Sequence, residues 1–272
     1  MPRVTIYKTD YAGVADAVER AFDAFPLQVA GKTVLVKPNI LGAVEAERHV
    51  CTHPSVVRAA VEALERRGAG RVLVGDNSGM RAYGSNEHAA RVAGILEAAG
   101  KRYVNLGASP VATAVKSAFA ETFAFSREVL EADLVINLPK MKTHVATGIT
   151  GAVKNTFGHL VGGEKTRLHR EARGPENFAR AVVDVFAFRP PDLSILDAVV
   201  AMEGQGPSGG RPRKVGRIVA SDNAVARLLY GGDDGPSAGD RPDASHCRGA
   251  RPGADRPGGD SNRRTVRGGS PL

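Results

Sequence analysis

The chain has no tryptophan, few other aromatics and only two cysteines among 272 residues. Cys51 and Cys247 lie far apart, with no CxxC pair and no cluster. This chain alone therefore cannot ligate an iron–sulfur cluster or a structural zinc, and it offers no secreted disulfide scaffold. No apolar run approaches the ~20 residues that a membrane helix needs. The start, Met1-Pro2-Arg3-Val4-Thr5-Ile6, lacks a signal-peptide apolar core. The expectation is a cytoplasmic protein that does not enter a membrane. There is no Gly-x4-Gly-Lys-Ser/Thr phosphate loop, and Ser78 lacks the Gly-x-Ser-x-Gly setting of a serine nucleophile.

The net charge is +8. Residues 1–226 carry 29 basic and 23 acidic residues, with both signs interspersed. There is no basic run, and aromatics for base stacking are sparse, so nucleic acid is excluded as a partner. A mild cationic excess suits a small acidic molecule instead. The composition changes at Arg227. The last 46 residues hold 10 Gly and 5 Pro but no Lys, Ile or Phe. Such a segment cannot bury enough apolar surface to order itself. We read 1–226 as one α/β domain, incomplete at its carboxyl end, and 227–272 as a disordered Gly/Pro/Arg-rich tail, either a flexible end or the product of a shifted reading frame.

Apolar patterning within 1–226 alternates short strands with helices. Strands are predicted at Val4–Tyr7, Thr33–Val36, Arg71–Gly75, Tyr103–Leu106, Ala132–Leu138, Leu193–Asp197 and Val215–Ala220, with a further one within Ala118–Phe125. Helices are predicted at Ala12–Phe25, from Pro54, from Ser85 to Ala99, at Glu128–Ala132, within Gly148–Leu160 and at Pro175–Phe188. Val161–Arg173 and Gly204–Lys214 read as loops. Runs such as Thr33-Val34-Leu35-Val36 show no alternation, as in strands covered on both faces. The fold class is α/β: three layers, with a mostly parallel or mixed sheet and helices on both faces.

The stretch Asn137-Leu138-Pro139-Lys140-Met141-Lys142-Thr143-His144 carries the strongest functional signal. Pro139 has no N–H and is expected to end the strand ladder. The lysines would then sit in a loop at the carboxyl end of a core strand, where open α/β sheets bind ligands. Lysine is a compact charge suited to phosphate or carboxylate. Lys140, Lys142 and Lys154, joined by Thr143, Asn155, His169 and a helix N-terminus near Gly148, read as an anion site; a solvated basic loop is the plain alternative. Lys37 and Asn39 end a second strand and would face the same crevice. His144, kept neutral by adjacent lysines, is the candidate proton acceptor, while His53, before Pro54, reads as a helix cap. Lys142 or Lys154 with a depressed pKa could form a Schiff base. Asp76 ends a third strand and is a general base, a metal ligand or a turn former. With Asp197 and Glu203 it makes a weak set of oxygen donors for a divalent cation. Gly204 and Gly206 could bring backbone amides to a phosphate.

Lys37-Pro38-Asn39, Thr52-His53-Pro54, Gly75-Asp76, Pro139-Lys140-Met141-Lys142-Thr143-His144, Lys154-Asn155 with Gly158, and Asp197 with Met202-Glu203-Gly204-Gln205-Gly206-Pro207 together resemble the domain of unknown function 362 family. The resemblance covers about Val4–Ala226. It implies a shared α/β core and a redox setting, with a ferredoxin-like electron carrier as partner, because many members carry ferredoxin-like cysteine motifs. It supplies no reaction. The chain departs from the family pattern in lacking cluster cysteines and in losing the C-terminal helical portion near Ala226.

Overall fold

The computed structural model describes residues 3–79 and 84–223. The predicted tail from Arg227 lies outside the described residues, as do residues 224–226.

Strand β1 (Thr5–Lys8) leads into helix α1 (Val14–Ala24), which buries Val14, Val18, Ala21 and Phe22 along one side. Strand β2 (Thr33–Pro38) is followed by α2 (Pro54–Arg66). Pro54 sits at the first turn of α2, where its missing N–H costs nothing, and the His53 ring accepts the Ser55 N–H as the cap. Next come β3 (Arg71–Val74), α3 (Asn86–Val92) and α4 (Ile95–Ala99), so the helix expected from Ser85 to Ala99 is broken at Gly94. Tyr103–Leu106 does not form the expected strand and makes only a single bridge from Tyr103 to Val74. Strands β4 (Pro110–Ala114) and β5 (Thr122–Ser126) pair as a separate hairpin. Helix α5 (Arg127–Glu131) then leads into β6 (Leu134–Leu138).

Two expectations fail around the lysine-rich stretch. Pro139 does not end the sheet, because its carbonyl accepts the Asp197 N–H at 2.9 Å and the chain runs straight into β7 (Lys140–His144). A proline removes a donor but leaves the acceptor. The lysines therefore sit on a strand, paired to β8 (Gly148–Thr150), and not in a loop. The helix expected within Gly148–Leu160 shrinks to the four-residue α6 (Ala152–Asn155) and a 3-10 turn over Thr156–His159, too short for an N-terminal anion site. The loop expected over Val161–Arg173 contains α7 (Glu164–Glu171). Helix α8 (Pro175–Phe188) matches its expectation. Strands β9 (Leu193–Glu203) and β10 (Arg211–Ser221) are longer than predicted and pair antiparallel.

The main sheet runs β1-β10-β9-β6-β2-β3, with β7 and β8 joined beside the far half of β9. Pairings among β3, β2, β6, β9 and β7 are parallel, and those of β10 with β9 and β1 are antiparallel. Val34, Val36, Ile136 and Ile195 pack with α1 and α2 in one core. Leu35, Leu73 and Val135 face the other way, and α6, α7 and α8 with β5 form a third cluster around Phe123, Phe157 and Phe178. Among the described residues no helix is long and apolar enough to cross a membrane.

Candidate functional site

Two lysines of the sequence motifs are committed to buried ion pairs. Lys37, at the end of β2, is fully buried with Nζ 2.7 Å from Asp76 Oδ1. Asp76 Oδ2 accepts the Ile40 N–H at 2.7 Å. Lys140 Nζ lies 2.8 Å from both Asp197 Oδ2 and the Tyr11 hydroxyl. Asp197 also accepts from the Tyr11 hydroxyl (3.1 Å), the His53 N–H (3.0 Å) and the Val199 N–H (3.2 Å). A buried charge needs this degree of compensation. Glu203 is elsewhere, held by Arg211 at 2.9 Å and Arg213 at 3.0 Å on the β9–β10 hairpin. Asp76, Asp197 and Glu203 thus each neutralise a different cation and do not assemble. Among the described residues no group of three or more His, Cys, Asp and Glu could hold a metal. Cys51 is buried without a second cysteine and accepts the Leu41 N–H, so the described residues do not fit an iron–sulfur cluster.

A ladder of amides ties α6 to the strand ends. Asn155 Nδ2 donates to Asn137 Oδ1 (2.7 Å), and Asn155 Oδ1 accepts from Asn39 Nδ2 (2.9 Å). Asn137 in turn donates to the Ala152 carbonyl at 3.0 Å. Asn39 and Asn137 therefore hold Asn155, and with it α6, which carries Lys154. They hold the floor of the site.

Three further lysines have no carboxylate within ion-pair distance among the described residues. Lys142 Nζ donates to the Val50 carbonyl at 2.7 Å. Lys165 Nζ donates to the carbonyls of Asn77 and Ser78. Lys154 is partly buried, with its ammonium 4.6 Å from the Phe157 ring centre and 5.4 Å from that of Phe178. Desolvation is the first cause of their depressed basicity, and mutual repulsion adds to it for Lys142 and Lys154. Lys142 is lowered to about 8, Lys154 to about 7 and Lys165 to about 8. After desolvation, the charges that lower Lys154 are those of Lys165, Lys142 and Lys37, with Asp76 opposing them.

Both flanking histidines are neutral at pH 7, with opposite tautomers. Burial and the charges of Lys154 and Lys142 push His144 down to about 4. Its Nδ1 accepts the Ala146 N–H at 3.1 Å, so the ring proton sits on Nε2 and His144 offers a donor. That corrects the role of proton acceptor expected from sequence. His169 is the reverse: Nδ1 lies 2.7 Å from the Lys165 carbonyl, which can only accept, leaving Nε2 as the free lone pair. The His169 ring stacks on Phe178 at 4.0 Å.

Thr143 does not face a ligand, because its hydroxyl donates to the Gly204 carbonyl at 2.9 Å. Gly206 packs on the same residue: a Cβ there would stand 2.0 Å from the Thr143 carbonyl oxygen, so this glycine serves a close approach of two chains and not phosphate binding. Thr150 was missed by the sequence reading. It pairs with Lys142 across β7–β8, is 3% exposed, and its hydroxyl has no hydrogen-bond partner. Tyr11 was also missed; nothing near it in the sequence signals that its hydroxyl will link Lys140 to Asp197.

The lysines fix the direction of the pH dependence. Each of the three keeps its proton in the unfolded chain up to about pH 10 and loses it earlier when folded. Unfolding therefore takes up protons across that window, and stability rises with pH. The unliganded protein is expected to become more stable from about pH 7 towards about pH 10, as measured by urea midpoints. A flat or falling profile there would contradict this placement.

A family model described as a domain of unknown function, DUF362, matches residues 34–227. A thylakoid-associated protein of Synechocystis sp. is 38% identical over 200 residues, covering 72% of this chain and 60% of that protein. The lactate racemase apoprotein of Thermoanaerobacterium thermosaccharolyticum superposes with a TM-score of 0.55 at 13% identity, over 82% of this chain and 54% of that one. A Thermotoga maritima protein gives a TM-score of 0.49 at 14% identity, over 81% of this chain and 58% of that one. The chain thus spans less than two thirds of the length of each of these proteins.

Proposed function

Because the chain belongs to the DUF362 family, whose description assigns no activity, we propose from the site itself that it binds a small anionic metabolite or cofactor between Lys142, Lys154 and His144. The carrying observation is the contrast among the lysines. Lys37 and Lys140 each have a buried carboxylate, whereas Lys142 and Lys154 have none within ion-pair distance among the described residues. A protein does not gather unpaired ammonium groups in a desolvated site without cost, since each depresses the others. An anion removes that cost. The unpartnered Thr150 hydroxyl beside Lys142 and the His144 Nε2–H supply neutral donors for the same ligand. The likeness to the lactate racemase apoprotein supports the fold and does not choose the ligand. The redox partner implied by the family resemblance is not needed for this reading.

Thermal unfolding with inorganic phosphate and with malonate, against chloride at matched ionic strength, tests the proposal. Either anion should raise the midpoint, and more below about pH 7, where both lysines are charged, than above about pH 9. Lys142→Ala removes one charge-assisted hydrogen bond, worth about 1.5–3 kcal/mol, and should weaken binding by roughly ten- to a hundredfold. If Lys142→Ala responds to both anions as the parent does, the reading is wrong.

A further inference from the structure

Lys154 differs from the other lysines of the site in having nothing to hold. Lys37, Lys140, Lys142 and Lys165 all donate hydrogen bonds to named oxygens. Among the described residues Lys154 has neither a hydrogen bond nor an ion pair; its ammonium rests on the faces of Phe157 and Phe178. The same two rings pack around His169, at 5.5 Å and 4.0 Å between ring centres. The amine and the His169 ring therefore contact the same two aromatic rings. His144, whose protonation is suppressed by burial and then by the charge of Lys154, brings a ring N–H of the opposite tautomer.

We infer that Lys154 is a nucleophilic amine that captures the carbonyl group of a small anion, a 2-oxo acid or a phosphorylated aldehyde, as an imine, with His169 as the proton acceptor and Lys142 holding the acidic group. This rests on the anion site proposed above and names its substrate class. The groups around the amine fit the task. Lys142, Lys165 and Lys37 are the neighbouring cations and Asp76 the nearby carboxylate, itself bound to Lys37, so no acid is left to hold Lys154 as an ammonium ion. The lowered basicity, about 7, keeps a large fraction of the amine neutral at physiological pH.

The step balances without an oxidant or reductant. His169 Nε2 takes one proton from the Lys154 ammonium. The nitrogen lone pair forms the C–N bond while the C=O π pair moves to oxygen, which receives that proton and becomes a hydroxyl. A second nitrogen proton passes by way of His169 to this hydroxyl, which leaves as water as the C=N bond forms. Ammonium and carbonyl give a protonated imine, which keeps the third nitrogen proton and the positive charge, and water, and His169 ends neutral. The His144 Nε2–H is placed to donate to the carbonyl oxygen or to the carboxylate beside it.

The test uses the full chain, glyoxylate as the probe and cyanoborohydride to fix any imine, followed by intact mass and peptide mapping. The expected result is one adduct per chain, on the peptide containing Lys154. At neutral pH it should form at least about tenfold faster than on the exposed Lys8, Lys101, Lys116 and Lys214. Lys154→Arg should abolish the fast adduct, and His169→Gln should slow it and shift its pH profile. Equal labelling of Lys154 and the exposed lysines would overturn the inference, as would a fast adduct that survives in Lys154→Arg. A protein stabilised by phosphate that forms no fast adduct would refute the imine and leave the anion site standing. A protein with neither response would refute both.

Discussion

Replacing Asp197 with alanine is expected to destabilise the fold by about 3–5 kcal/mol, because it strands a buried lysine. Asp197 and Lys140 are both inaccessible to solvent. The carboxylate receives the Lys140 ammonium, the Tyr11 hydroxyl and the backbone N–H groups of His53 and Val199. The Lys140 ammonium, fully buried, cannot turn to water. For a domain of this size the loss corresponds to a fall of roughly 6–20 °C in melting temperature. The effect reaches beyond the pair, because the His53 N–H opens α2 and Tyr11 stacks on the His53 ring at 3.7 Å between centres. The double variant Lys140→Met/Asp197→Leu separates charge from packing: by removing the stranded ammonium it should cost less than Asp197→Ala alone. Chemical denaturation of the two variants checks this. A single variant within about 1 kcal/mol of the parent would show that the pair is solvated and the described burial wrong.

The sequence made the frame of this arrangement legible and hid its partners. The uninterrupted apolar runs at Thr33–Val36 and Ala132–Leu138 announced strands covered on both faces, and they pair in parallel as β2 and β6. Pro54 and Pro175 marked true helix starts. What failed was punctuation. Pro139 looked like the end of a ladder, but only its donor was missing, and β7 continues beyond it. The glycines and charges of Val161–Arg173 looked like a loop, but Leu168 and Ala172 bury one side of α7 against the Phe178 cluster. At the site, lysines could be counted but their partners could not. No local pattern tells that Lys37 will meet Asp76 or that Lys154 will reach Phe178, because these partners arrive from other parts of the chain. His144 shows the same limit. Its neutrality comes first from burial and only then from the charges of Lys154 and Lys142, and its tautomer depends on the Ala146 N–H, a turn geometry visible only in three dimensions.

Gly158 offers the sharpest test of how the Lys37–Asp76 pair is enclosed. It lies in the 3-10 turn after α6, and a Cβ at this position would stand 2.1 Å from Asp76 Oδ1 and 2.8 Å from Lys37 Nζ. The pair cannot simply step aside. Asp76 is anchored through Oδ2 to the Ile40 N–H, and Lys37 has no solvent to move into. Gly158→Ala must therefore either push the turn off the sheet or part the ions. Overpacking alone costs about 1–3 kcal/mol, and parting a buried pair costs about 3–5 kcal/mol. The smaller figure is the floor, because displacing the turn also strains the Asn77 Nδ2 bond to the Gly158 carbonyl at 3.0 Å. Gly163→Ala is the matched control: that residue already has helical backbone angles, and nothing lies within 4 Å of the added methyl. It should be neutral or stabilising by about 0.4–1 kcal/mol, through the unfolded chain. The turn follows directly on Lys154 and Asn155, so Gly158→Ala is expected to weaken phosphate binding together with stability, whereas Gly163→Ala leaves binding unchanged. If Gly158→Ala unfolds at the same urea concentration as Gly163→Ala, the turn does not close over the ion pair, and the crevice is not built on the enclosed floor described for it.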